Sequence, residues 1–116
     1  MEIAMETHDD GVVELVLRGR LDIAGTGAIE TLFAAAASRE QGRLLVDMSE
    51  VSFLSSIGIR LLLMNAKAVG MRRGRMVLLN PQPGVLGVLE TCGLIPLLTV
   101  RQDRGVAIAE LLAAED

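Results

Sequence analysis

Apolar and polar residues alternate at the start of the chain and then give way to compact apolar runs separated by stretches of helical period. Ile3 to Glu6 is a short alternating run and "GVVELVLRG" a longer one, and Asp10-Gly11 between them signals a hairpin of two strands. In "GTGAIETLFAAAASREQG", Ile29, Leu32, Phe33 and Ala36 recur at i, i+3, i+4 and i+7. That spacing predicts a helix, with Thr26 as its N-cap and Gly42 past its end. "RLLVDM" and "RMVLLN" are unbroken apolar runs, as expected of strands buried on both faces. The longest helix is predicted over Ile57 to Arg73, and a shorter one over Val85 to Cys92, stopped by Gly93. "LLTV" then reads as a brief strand, and "DRGVAIAELLAAED" as a closing helix capped by Asp103.

After the opening hairpin, strands alternate with helices. This predicts one α/β domain over residues 1–116, with a mixed sheet of four to five strands and about four helices. A chain of 116 residues can bury such a core without metal or disulfide staples.

Composition narrows the function. The net charge is −4 with both signs scattered, and no basic stripe carries interleaved aromatics, which argues against nucleic-acid binding. Arg72, Arg73 and Arg75 fall at the predicted end of the long helix, where cations favour the dipole. The single cysteine, Cys92, excludes an intramolecular disulfide and is expected on the apolar face of its helix as a buried, inert thiol. No apolar stretch is long enough to span a bilayer and the start resembles no signal peptide, so a cytoplasmic protein without membrane insertion is expected. Apolar residues make up 51% of the chain and aromatics only 2%, a surplus of aliphatic surface that suits a protein partner.

Catalytic equipment is sparse. The one histidine, His8, lies in the predicted hairpin turn beside Asp9 and Asp10 and reads as a solvated turn residue. No Cys/His spacing suits zinc, and no phosphate-cradling glycine loop follows a strand. A binding protein is expected, with no catalytic residue, metal or cofactor of its own.

The most informative stretch is "VDMSEVSFLSSIGIRLLLMNAKAVG", with four serines in the eight residues from Ser49 to Ser56 before the long helix. Ser55 or Ser56 would occupy the helix N-cap, where a side-chain oxygen accepts from a free backbone N–H. Along the helix, Ile57, Leu61 and Ala68 share one arc, and Ile59, Leu62, Ala66 and Val69 a second. With those two arcs buried, a third stripe of Ser56, Arg60, Leu63 and Lys67, with Met64 beside it, would face outward as a docking surface. A phosphate on Ser56 would sit at the positive end of the helix dipole and change the charge of that stripe.

The run "LLVDMSEVSFLSSIGIRLLL" resembles the core motif of the STAS domain family, the anti-sigma factor antagonists. "LRGRLDIAGTGAIE" is similar to that family's strand, Gly-x-Leu-Asp and helix, and "GVLGVLETCGLIPLLTV" to its late segment. The resemblance implies that Ser56, two before Gly58, is a phosphoacceptor. It also implies that Asp22 and Asp47 are acidic residues near the phosphorylation loop, and that these two with Ser55, Ser56, Ile57 and Gly58 join Arg60, Leu63, Met64 and Lys67 in binding the partner. Ser55 stands where the family usually has an acid, and Ile57 where it has a small residue; Ser55 is thereby a rival acceptor. The function implied is partner switching. The unphosphorylated protein binds a serine-kinase anti-sigma factor and frees a sigma factor, phosphorylation breaks that complex, and a serine phosphatase restores it. A homodimer is left open. The alternative is a STAS subunit that is never phosphorylated and serves as a structural partner in a transporter or signalling complex.

Overall fold

A computed structural model describes residues 1–113. Two strands, β1 (Glu2–Thr7) and β2 (Val13–Leu21), form the opening hairpin. They are followed by α1 (Ile23–Ala37), β3 (Arg43–Leu54), α2 (Ser56–Met71), β4 (Arg75–Leu79), α3 (Pro83–Thr91), β5 (Thr99–Arg101) and α4 (Arg104–Leu112). The sheet is five-stranded in the order β1-β2-β3-β4-β5; β1 is antiparallel to β2, and the other pairs are parallel. This is the mixed α/β sheet that the alternating pattern predicts.

The order of the strands decides where the helices lie. Three successive crossovers step in one direction across the sheet, and right-handed connections then put all three helices on one face. Residues of α1, α2 and α3 (Ile29, Phe33, Leu62, Val69, Leu89) share one core cluster with Leu15, Leu44, Val46 and Leu78 of the strands. The last helix follows the final strand and is free to cover the other face, where Ala107 and Leu111 pack on Leu45, Val77 and Leu79. Successive residues of β3 and β4 thus feed opposite cores, which explains their unbroken apolar runs.

Several local expectations are corrected. The first helix starts at Ile23 with Asp22 as its N-cap, so Thr26 lies inside the helix, buried, and its hydroxyl has no partner among the described residues. Asp22 wins because its carboxylate reaches the Gly25 N–H at 2.8 Å. Leu32, expected on the core face of that helix, is exposed.

The central strand runs to Leu54 rather than stopping at Met48, and most of the serine-rich stretch is therefore strand. Its pairing with β4 ends at Asp47–Leu79, while pairing with β2 continues to Leu21–Leu54 through two register shifts. Beyond Asp47 the extension pairs only with β2 among the described residues, and Glu50 and Ser52 are exposed there and Ser49 half-buried, which is why it tolerates them.

The long helix ends at Met71. Arg72 is its C-cap, Arg73 adopts a left-handed turn conformation, and Arg75 opens β4, so the three cations do not form one helix terminus. Cys92 is exposed: it is the C-cap of α3, where the chain leaves the helix, and Leu94 folds back into the apolar site through its N–H to the Leu89 carbonyl. Asp103 caps α4 as expected, accepting from the Gly105 N–H at 2.9 Å. The final residues of the predicted closing helix, 114–116, lie outside the described ones.

Candidate functional site

Helices α1 and α2 each follow a parallel strand, so both N-termini open at the carboxyl edge of the sheet, where α/β folds present their sites. Two hydrogen bonds to one carbonyl fasten them together. The Leu21 carbonyl accepts from the Ser55 N–H at 3.0 Å and from the Ser55 hydroxyl at 2.5 Å. The Ser55 oxygen in turn accepts from the Gly58 N–H at 3.4 Å, which makes Ser55 the N-cap of α2. Ser56, one residue on, is the first helical residue and exposed, and its hydroxyl has no partner among the described residues.

Close packing fixes this junction. A Cβ on Gly58 would lie 2.9 Å from the Cβ and 3.0 Å from the carbonyl oxygen of Leu21, and one on Gly25 would lie 2.0 Å from the Arg20 carbonyl oxygen. Neither position can hold a side chain without moving backbone. Asp22 completes the junction: the Gly25 N–H and then Arg20, 3.6 Å away, hold its carboxyl below the usual range. Arg20 itself stacks over the Phe53 ring at 4.2 Å from the centroid.

From the junction a groove of about 910 Å³ runs between α1 and α2. Ile23 and Ile57, from the first turns of the two helices, line its head and are 77% and 41% exposed; Met64, further along, is 61% exposed. Arg60 also lines the groove. This rearranges the docking stripe expected from the sequence. Of that stripe, Ser56, Arg60, Met64 and Lys67 are exposed, whereas Leu63 is half-buried against the core; Gly58, outside the stripe, is buried. Ile57, whose arc reads as buried although it stands among the expected partner contacts, is open because α1 leaves the groove uncovered. The wall that α1 contributes, Ile23 and Glu30 included, does not follow from the periodicity of either helix. An Ile directly after Leu21-Asp22 is its one sign in the sequence.

Asp47 lies elsewhere. It is in the middle of β3, seven residues before the strand ends, which at about 3.3 Å per residue is more than 20 Å of chain from the junction. Its side chain points to the opposite face, where it accepts from the Ser49 N–H at 3.0 Å and approaches Arg104 of α4 at 3.5 Å. Arg104 is held mainly by Glu14, a 3% exposed carboxylate in the middle of β2, through two bonds of 2.9 and 2.8 Å. His8 adds a third contact to Glu14 at 2.9 Å and is thus tied to the sheet rather than free in the turn. Arg104 first and His8 second lower the Glu14 pKa against the opposing cost of burial. A glutamate within the apolar run "VVELVL" was the sequence signal for this cluster.

Fold and site together define a small α/β domain with an unengaged serine at a helix N-terminus beside an apolar groove. The sequence matches the STAS domain over residues 3–107, and the chain belongs to that family. It is similar to the anti-sigma factor antagonist BtrV of Bordetella bronchiseptica, with 29% identity over 98% of this chain and 97% of that protein. The anti-sigma F factor antagonist of Paenibacillus polymyxa is 25% identical over 96% of this chain and 95% of its own. Among solved structures, the anti-sigma factor antagonist SpoIIAA in its unphosphorylated form superposes with a TM-score of 0.78, at 25% identity over 97% of both chains. No helix among the described residues is long and apolar enough to cross a membrane, and no group of three or more His, Cys, Asp or Glu there could hold a metal ion.

Proposed function

We propose that this protein is an anti-sigma factor antagonist, that it binds a serine-kinase anti-sigma factor through the α1–α2 end of the sheet, and that phosphate on Ser56 breaks the complex. The observation that carries this reading is the division between the two serines. Ser55 is committed as a cap on both its donor and acceptor sides, whereas the Ser56 hydroxyl is exposed and has no partner among the described residues.

The phosphoryl group would come from ATP held by the kinase, with this chain supplying only the acceptor oxygen. On Ser56 the dianion would meet the positive end of α2, so the helix can carry it at little cost to folding. A partner fitted to the neutral serine and the apolar Ile57 would instead meet a solvated double charge and withdraw. Arg60, one turn along α2, would pair with the phosphate. A phosphatase acting on phosphorylated Ser56 would reset the switch in the cytoplasm. The partner-facing set is then Asp22, Ser56, Ile57, Arg60 and Met64, with Lys67 at its far end. Asp47, Leu63 and Gly58 shape the domain, and Ser55 holds the acceptor's helix.

The test is a titration of the anti-sigma factor with three chains. Wild type and Ser56→Ala should bind alike, and Ser56→Asp at least tenfold more weakly. Equal binding by all three would favour the alternative, a STAS subunit that assembles with its partners without phosphorylation.

A further inference from the structure

The groove between α1 and α2 has a chemistry that describes its occupant. Beyond their first turns, both walls are helices whose backbone groups are bonded internally, so the groove offers no strand edge to which an extended chain could add. An occupant must satisfy its own backbone, and a helix does this. Small residues (Gly27, Ala34 and Ala68) lie along the groove and let another backbone come close. Ile23 to Ala34 on one wall and Ile57 to Ala68 on the other each span eleven steps, about 16 Å at 1.5 Å per residue, or three turns.

The walls also carry opposite charge. Glu30 is the one charged residue of α1, and the charges of α2 are Arg60 and Lys67, both positive. Surfaces charged in this way orient a partner more than they strengthen its binding.

We infer that the groove receives a three-turn amphipathic helix of the anti-sigma factor, seated with an apolar ridge between Ile23, Ile57 and Met64. Its basic side faces Glu30 and its acidic side faces Arg60. The inference rests on the partner-switching reading and adds where the contact energy lies. The groove holds the partner, and Ser56, next to Ile57 at the groove's head, gates it.

To test this, Ile23, Met64 and Ser52 are replaced in turn by photoreactive benzoylphenylalanine in the full chain, expressed in the protein's own host, and the adducts are mapped by mass spectrometry. Positions 23 and 64 should each cross-link to one amphipathic helical segment of an anti-sigma factor, and Ser56→Asp should remove both adducts. Ile23→Ser and Met64→Ser should each weaken binding of that factor tenfold or more while leaving the unfolding midpoint unchanged, since both side chains are exposed. Adducts from Ser52 alone would overturn the groove and leave the switch standing. Groove adducts that survive Ser56→Asp would overturn the switch and leave the groove standing. Adducts joining two copies of this chain would replace the partner helix with self-association, and adducts from none of the three positions would overturn both readings.

Discussion

The Leu21 carbonyl accepts from both the amide and the hydroxyl of Ser55, and no group among the described residues engages the Ser56 side chain. Two identical side chains therefore contribute differently to the fold. Ser55→Ala should lower the unfolding free energy by about 1–2 kcal/mol, because it removes the cap and leaves a carbonyl with one donor fewer. Ser56→Ala should change it by less than about 0.5 kcal/mol. Urea denaturation of the two variants checks this directly. Thr26 offers a complementary case. Its hydroxyl is buried without a partner among the described residues, so Thr26→Val, which keeps the shape and removes the oxygen, should raise stability by about 1 kcal/mol in the same assay. From the sequence, Ser55 and Ser56 are equivalent cap candidates and Thr26 a plausible third. Only the position of the Leu21 carbonyl, 34 residues upstream of Ser55, separates the first two.

Helix and strand existence was legible because each apolar run has one period and ends at Gly, Pro or a capping residue. Boundaries were less so. The central strand outlasts its apolar run, since pairing with β2 keeps the backbone extended where Glu50 and Ser52 face solvent. The exposed stripe on α2 was legible only in part, because which arc is covered depends on how closely α1 packs, and periodicity within one helix does not contain that. The packing that joins the two helices is concentrated at Gly58. Gly58→Ala should cost about 1–3 kcal/mol, since a methyl there meets the Leu21 backbone and the Leu54 side chain at 3.0 Å or less. If the variant does fold, its α2 start should be displaced, seen as amide shift changes at Leu21, Asp22 and Ser55. Unchanged stability and shifts would show that the junction is looser than described.

Over the whole molecule, one face of the sheet carries the junction and groove, and the other is held by α4 and the Glu14–Arg104 pair. The folded pKa of Glu14 is lowered, so this carboxylate stays ionised in the native state where the unfolded chain would already bind a proton. Its contribution is complete above the ordinary carboxylate range and is lost as pH falls through the folded value. Glu14→Gln should thus be less stable than wild type by about 1–3 kcal/mol near pH 7, with the gap narrowing towards about pH 4. Urea midpoints at the two pH values give the answer; a gap that stays constant would mean that the pair is not an ionic one. The cluster lies on the face opposite the groove, so the same variant, once folded, should bind the anti-sigma factor with unchanged affinity. Asp47 lies on this face too, close to Arg104. The resemblance implies a place near the switch, and sequence order does not tell how far a strand continues or which side of it a residue faces.

The most direct measurement is phosphosite mapping on the protein purified from its own host, grown with and without stress. The account predicts phosphate on Ser56, with occupancy that changes with the growth condition, and none on Ser55, whose hydroxyl is committed to the Leu21 carbonyl. Phosphate on Ser55 alone, or on neither serine under any condition, would contradict it.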